Sequence, residues 1–117
     1  MRFASAIVAA AAAAIASAQV VFPFAPEGPC VAQCTDQAGK FYFPLYDDVD
    51  VNGPFFFTSL SYTFERGTPM AIAFMTKAGT CMNDCPMDQQ NAYRDSYYPK
   101  YNWYQANKPT APVRRRA

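Results

Sequence analysis

Two cysteine pairs with the same spacing are the residues of this chain best placed to do chemistry. Three residues separate Cys30 from Cys34 and Cys81 from Cys85, and the chain has only these four cysteines. Four thiols in two short-spaced pairs can form two disulfides or hold a zinc ion. The compartment of the protein decides between the two chemistries.

The first 18 residues predict export from the cell. Arg2 precedes an Ala/Ile/Val run over residues 4–16, and Ala16-Ser17-Ala18 supplies small residues for a cleavage site before Gln19. This pattern is typical of a secretory signal peptide, and the run is shorter than the roughly 20 residues that span a bilayer. We expect a secreted protein with no membrane anchor after cleavage. An oxidising compartment favours disulfides over zinc. The predicted secretory route also argues against the mitochondrial intermembrane-space helical hairpins, whose twin C-x3-C spacing this chain resembles.

The spacing also limits how the cysteines pair. Side chains four residues apart are about 5–6 Å apart on a helix and about 13 Å apart along a strand, whereas a disulfide needs about 4 Å between its β-carbons. Each bond should therefore join the two pairs. We predict the nested arrangement (Cys30 with Cys85, Cys34 with Cys81) over the parallel one (Cys30 with Cys81, Cys34 with Cys85), because segments that meet antiparallel produce it.

Cleavage would leave 99 residues, a length typical of one domain. We expect an extended arm over residues 19–29, where three prolines disfavour regular structure, and a disulfide-clamped domain over residues 30–104. Residues 105–117 should form a disordered tail made basic by Arg114-Arg115-Arg116. The body is mildly acidic and carries no strongly basic face, so nucleic acid is not an expected partner.

Residues 55–64 carry the clearest periodic signal. Large apolar side chains alternate there with hydroxyl side chains, which predicts a half-buried antiparallel strand. The apolar set comprises Phe56, Leu60, Tyr62 and Phe64, and the polar set comprises Ser59, Ser61 and Thr63.

Other segments complete a mainly β prediction. Lys40–Tyr46 is aromatic and should be an edge strand interrupted by Pro44, after a turn at 36–39. Residues 70–77 fit a buried strand, although Thr68 and Pro69 would also suit the start of a helix. Residues 84–97 predict one helix. We therefore expect a small antiparallel sheet or sandwich with one C-terminal helix, clamped by two disulfides, with α+β as the alternative class.

Asp48-Val49-Asp50-Val51-Asn52-Gly53 matches the start of a calcium-binding loop. The match to a calcium-binding loop ends at Gly53, because Pro54 follows it and the twelfth position, where a bidentate glutamate is required, is Ser59. Asn52-Gly53 is also a strong hairpin-turn dipeptide. We therefore predict a polar turn without a metal.

Catalysis has little support in the sequence. The chain has no histidine, which excludes Ser-His-Asp and Cys-His sites as well as histidine-ligated zinc. A carboxylate pair could still hydrolyse a glycosidic bond, and Glu27, Glu65 and several aspartates are available. Since most of them fall in predicted turns, we expect no catalytic residues, no cofactor and no enzyme activity.

Aromatic residues crowd the C-terminal part of the domain. Clustered Tyr and Trp side chains can anchor a protein interface, stack on sugars or simply cover a core. Our candidates for contact with a partner protein are Tyr97, Tyr98, Tyr101, Trp103 and Tyr104.

In its overall layout, with an Ala-rich signal peptide, a small domain, an even cysteine count and many aromatics, the chain resembles the small secreted effector-type proteins of filamentous fungi. The resemblance implies a secreted virulence protein that binds a host or extracellular protein, suppresses host defence or later enters host cells. The alternatives are a cell-wall or carbohydrate-binding protein and a small secreted hydrolase.

Overall fold

A computed structural model describes residues 20–109. The predicted signal peptide and residues 110–117 of the predicted tail lie outside the described residues. The described range contains four α-helices and no strand, so the mainly β prediction and its α+β alternative are both wrong. The helices are α1 (Pro29–Tyr42), α2 (Phe56–Phe64), α3 (Pro69–Met82) and α4 (Met87–Asn107).

Helix α2 replaces the predicted central strand. Its buried positions recur at helical rather than alternating spacing, namely at Phe56, Ser59, Leu60, Thr63 and Phe64. This helical spacing was not recognised in the sequence, because two of the buried residues carry hydroxyl groups and the alternating pattern assigns them to the solvent-facing side. Ser59 is fully buried, yet its hydroxyl donates to Phe55 O at 2.7 Å and accepts from Asp47 N–H at 2.8 Å, so its burial leaves no polar atom unpaired.

Helix α3 replaces the predicted strand at 70–77. Thr68 caps its first turn by accepting the Ala71 N–H at 3.1 Å, and Pro69 occupies the first helical position. The helical alternative was therefore the correct one. Proline suits that position because its missing N–H would have no helical partner there.

Helix α1 contains the predicted turn at 36–39 and ends inside the predicted edge strand, so both predictions are wrong. Gly39 is buried in the last part of the helix, and a β-carbon added there would clash with the ring of Tyr46. The glycine thus permits the chain after α1 to fold back onto the helix. Its role is close packing rather than a turn.

Helix α4 contains the predicted C-terminal helix and extends ten residues beyond its expected end, to Asn107. Pro99 lies inside it. The aromatic residues near the C-terminus therefore belong to one long helix. They do not form a separate segment laid over a sheet.

The predicted disulfides and their nested pairing are confirmed. Cys30 is bonded to Cys85 and Cys34 to Cys81, each with 5.6 Å between α-carbons. Since α1 packs on α3, these bonds tie the first half of α1 to the end of α3 and the turn after it. A first core cluster surrounds the bonds, with Val31, Ala38, Tyr46, Phe74, Ala78 and Met82 among its buried members.

A second core cluster joins α2 to α4. Its buried members are Phe56, Leu60, Phe64 and Tyr104. The arm that precedes α1 packs on this cluster through Phe22, whose ring lies 5.4 Å from that of Phe56 and 4.9 Å from that of Trp103. The arm thereby connects the start of α1 to the far end of α4.

None of the helices in the described range is both long and apolar enough to cross a membrane.

Candidate functional site

One of the predicted contact residues in α4, Tyr104, faces the interior. Tyr104 is buried, and its hydroxyl donates to Glu65 Oε2 at 2.9 Å. Burial and the neighbouring carboxylate raise the pKa of Tyr104. Lys108 donates to the same carboxylate oxygen at 2.9 Å. These three groups fasten the end of α4 to the end of α2.

Trp103 is half-buried and makes its principal contacts within the chain. Its ring stacks on Phe57, with ring planes within 3° of parallel, and its indole N–H donates to Val21 O at 3.1 Å. Tyr97 is also engaged, because its hydroxyl donates to Thr63 O at 3.1 Å. Both side chains hold other elements against α4.

The remaining two candidates lie nearer the surface. Tyr98 is 60% exposed, and its hydroxyl accepts from the Arg66 guanidinium at 3.4 Å. Tyr101 is half-buried at the edge of Phe64. Partner contact by the aromatic residues of α4 stays a prediction, and Tyr98 is the most accessible of them.

The structure reveals a cavity that the sequence did not predict. Its volume is about 320 Å³, and its walls are formed by α1, α2, α4, the loop before α2 and the arm. Cavities of this size and larger are typical of small-molecule sites. The walls are mainly apolar, formed by Phe22, Phe24, Ala25, Pro26, Ala32, Val49, Val51, Leu60, Phe64 and Tyr97.

Two carboxylates line this cavity. Glu27 comes from the arm and accepts a hydrogen bond from the Thr35 hydroxyl at 3.0 Å. Asp48 comes from the loop before α2 and accepts from the Tyr46 hydroxyl at 3.3 Å. Helix packing thus brings together two acidic side chains that are 21 residues apart in the sequence.

Glu27 affects the pKa of Asp48. Burial, followed by the negative charge of Glu27, raises the pKa of Asp48 to about 6. Among the described residues the ion pairs are Lys40–Asp36 and Lys108–Glu65, so neither cavity carboxylate has a cationic side chain within 4.0 Å. The two cavity carboxylates therefore form no ion pair with a described side chain.

Tyr93 is another residue of the cavity wall that carries a polar group. Tyr93 lines the wall, and among the described residues its buried hydroxyl oxygen has no hydrogen-bond partner. Burial, then the charge of Glu27, raises the pKa of Tyr93, so the hydroxyl stays protonated. A buried hydroxyl without a partner is unfavourable unless a ligand or a water satisfies it.

The loop that matches the start of a calcium site folds by its own hydrogen bonds. Asp47 Oδ1 accepts the N–H groups of Val49 and Asp50 at 3.0 and 3.1 Å, and Asp50 Oδ1 accepts the Asn52 N–H at 3.2 Å. Asp48 lines the cavity instead. The one close group of potential metal ligands among the described residues consists of Cys30, Cys34 and Cys85, which are disulfide-bonded.

The two carboxylates of the cavity were candidates from the sequence, but no pattern grouped them. Glu27 appeared as an available carboxylate and Asp48 as part of a metal-like loop, whereas Tyr93 was not among the candidates. They lie on an arm, a loop and a helix, with no common spacing. Because residues 55–64 were predicted to form a strand, the part of the cavity wall that α2 contributes was not predicted either.

Comparisons with known proteins found no matching family model, no similar curated protein and no similar solved structure.

Proposed function

We propose that this chain is a secreted binding protein of the effector type that holds a small, largely apolar molecule in the cavity beneath its N-terminal arm. The observation that carries the proposal is the cavity itself, with aromatic walls and the carboxylates of Glu27 and Asp48 in its lining. An apolar pocket with a few convergent polar groups is the usual form of a small-molecule site. The two disulfides are compatible with an extracellular protein.

The same geometry favours binding over hydrolysis. Glu27 and Asp48 share the cavity and could in principle serve as an acid and a base. However, a glycosidase must also hydrogen-bond the hydroxyl groups of a sugar, and most of the surrounding wall is formed by Phe, Val, Leu, Ala and Pro side chains. The walls suit a hydrocarbon or aromatic body better than a sugar ring.

A macromolecular partner is compatible with this proposal. The cavity would hold the small molecule, while the outer face of α4 would remain available to a host or extracellular protein. Tyr98 is the residue on which that contact is expected to depend.

The proposal is tested by binding of 3-phenylpropan-1-ol, a neutral molecule with an aromatic body and one polar end. We expect saturable binding in calorimetry and chemical-shift changes confined to the cavity walls. Ala32→Phe should fill the cavity, because Ala32 lies in its wall, and should weaken binding at least about tenfold, roughly 1.4 kcal/mol.

Ala106→Phe is the matched control, since Ala106 is exposed near the end of α4. This variant should bind like the parent protein. Both variants should retain the helical circular dichroism spectrum. The cavity would be refuted as the ligand site if the parent protein bound neither this alcohol nor a charged molecule with the same aromatic body, or if the Ala32→Phe variant bound as tightly as the parent.

A further inference from the structure

The charges that line the cavity are unbalanced. Glu27, Asp48 and Lys100 are its ionisable acidic and basic residues. Lys100 Nζ lies 6.0 Å from the centre of the Phe22 ring and is not within ion-pair distance of either carboxylate. A carboxylate withdrawn from water without a cationic partner is unfavourable. The cavity would therefore gain from a ligand that brings a positive charge.

The hydrogen-bonding groups of the cavity also favour a positively charged ligand. Carboxylates accept hydrogen bonds and do not donate them, and each of these two already accepts from one hydroxyl group. Tyr93 also lines the wall, and its buried hydroxyl oxygen has no hydrogen-bond partner among the described residues. A protonated amine carries N–H donors only, which match the acceptor oxygens of the two carboxylates.

The aromatic walls add to this preference. Phe22, Phe24, Tyr93 and Tyr97 surround the space next to the carboxylates. Aromatic faces attract organic cations, and the attraction is stronger where water is excluded. The rest of the wall is hydrocarbon, which suits the apolar body of such a molecule.

We propose that the ligand is an organic amine that binds as its ammonium ion, with the charged nitrogen between Glu27 and Asp48 and the apolar body against the aromatic walls. This inference rests on the proposed function, because it assigns a chemical class to the ligand of the same cavity. The volume of about 320 Å³ sets the size to that of an arylalkylamine or a short alkylamine.

The test compares three molecules with the same aromatic body and different charge. They are 3-phenylpropylamine, 3-phenylpropan-1-ol and 3-phenylpropionate, titrated into the full chain at pH 7.5, where Asp48 is ionised. We expect the amine to bind at least about tenfold more tightly than the alcohol, and the propionate to bind least, because charge-assisted hydrogen bonds exceed neutral ones.

Glu27→Gln and Asp48→Asn each remove one charge at nearly constant shape. Each should reduce the preference for amine over alcohol to about threefold or less, and the double substitution should abolish it. Asp95→Asn is the control, because Asp95 is an exposed carboxylate of α4 that does not line the cavity. It should leave the preference unchanged. Circular dichroism establishes that each variant is folded.

The outcomes separate the two proposals. Equal affinity for amine and alcohol would overturn the amine assignment and leave the small-molecule function standing. A preference that survives the double substitution would also overturn the assignment, as would amine binding that Ala32→Phe does not weaken. No binding of any of the three molecules would overturn both proposals.

Discussion

Asp48 combines burial with a nearby like charge. Its carboxyl group lies in the cavity wall, where burial and Glu27 raise its pKa from 3.8 to about 6. The folded protein therefore binds this proton more tightly than the unfolded chain does. Stability falls as the pH rises between these two values, and the deficit is complete above about pH 6. A residue that destabilises the fold at neutral pH is expected at a binding site rather than in a purely structural one.

Replacing Asp48 by asparagine should stabilise the protein at neutral pH. A shift of this size corresponds to roughly 2–3 kcal/mol in the free energy of unfolding at pH 7. The gain should disappear below about pH 4, where aspartate is protonated in both states. Urea unfolding of both proteins from pH 3.5 to 7.5 measures the difference.

Glu65→Gln is the matched control with the opposite sign. The hydrogen bond from Lys108 holds the pKa of Glu65 below its usual value, so the ionised group stabilises the fold above its unfolded pKa. That stabilisation is lost as the pH falls through the folded pKa. This variant should be less stable than the parent at pH 7. A loss of stability in the Asp48→Asn variant at pH 7 would show that the buried carboxylate is stabilising.

At the scale of elements, the arm both closes the cavity and reaches the end of α4. Phe22 lines the cavity and packs edge-on against Trp103 with 4.9 Å between ring centres. Trp103 is the only tryptophan in the chain. Its fluorescence should therefore report whether the arm is docked.

Phe22→Ala should release the arm and leave the helices intact. We expect Trp103 emission to move to longer wavelength, because its ring loses an apolar neighbour and gains water. Binding of 3-phenylpropan-1-ol should weaken, since one cavity wall is removed. Helical circular dichroism should stay the same, because the residue lies outside all four helices.

Phe41→Ala is the control for this prediction. Phe41 is 67% exposed and does not line the cavity, so its loss should change neither the emission nor the binding. Loss of helical structure in Phe22→Ala would instead mean that the arm is required for the fold.

In the molecule as a whole, two nested disulfides link α1 to the end of α3 and the turn after it. The outer bond joins residues 55 apart and the inner bond joins residues 47 apart. When one bond is present, the other closes only a short ring in the unfolded chain. When neither is present, the first bond to form closes a loop of about 50 residues and restricts the chain far more.

Removing the disulfides should therefore have a more than additive effect. Changing Cys34 and Cys81 to alanine, or Cys30 and Cys85 to alanine, should cost roughly 2–3 kcal/mol in each case in the chain-entropy model. Removing all four cysteines should cost roughly 6–7 kcal/mol, which approaches the whole stability of a small domain. Chemical unfolding of the three variants gives the values. Strict additivity would show that the bonds act through local packing instead.

Some features of this protein could be predicted from local patterns in the sequence. Distances that any regular structure imposes on residues four apart excluded bonds within each cysteine pair, and the expectation of antiparallel segments favoured the nested pairing, so this prediction held although the fold class was wrong. The helix after Cys85 was visible because its polar and apolar residues have helical spacing.

Tertiary structure decided the remaining features. Residues 56–64 fit both an alternating and a helical period, and the buried hydrogen bonds of Ser59 make the helical one stable. Gly39 resembled a turn residue until the ring of Tyr46 packed on it. Glu27, Asp48 and Tyr93 share no spacing, and they meet because α1, α2, α4 and the arm enclose one space. Contacts between distant segments determine whether a stretch follows the helical or the alternating period and which charged side chains come together. These contacts do not appear in any local sequence pattern.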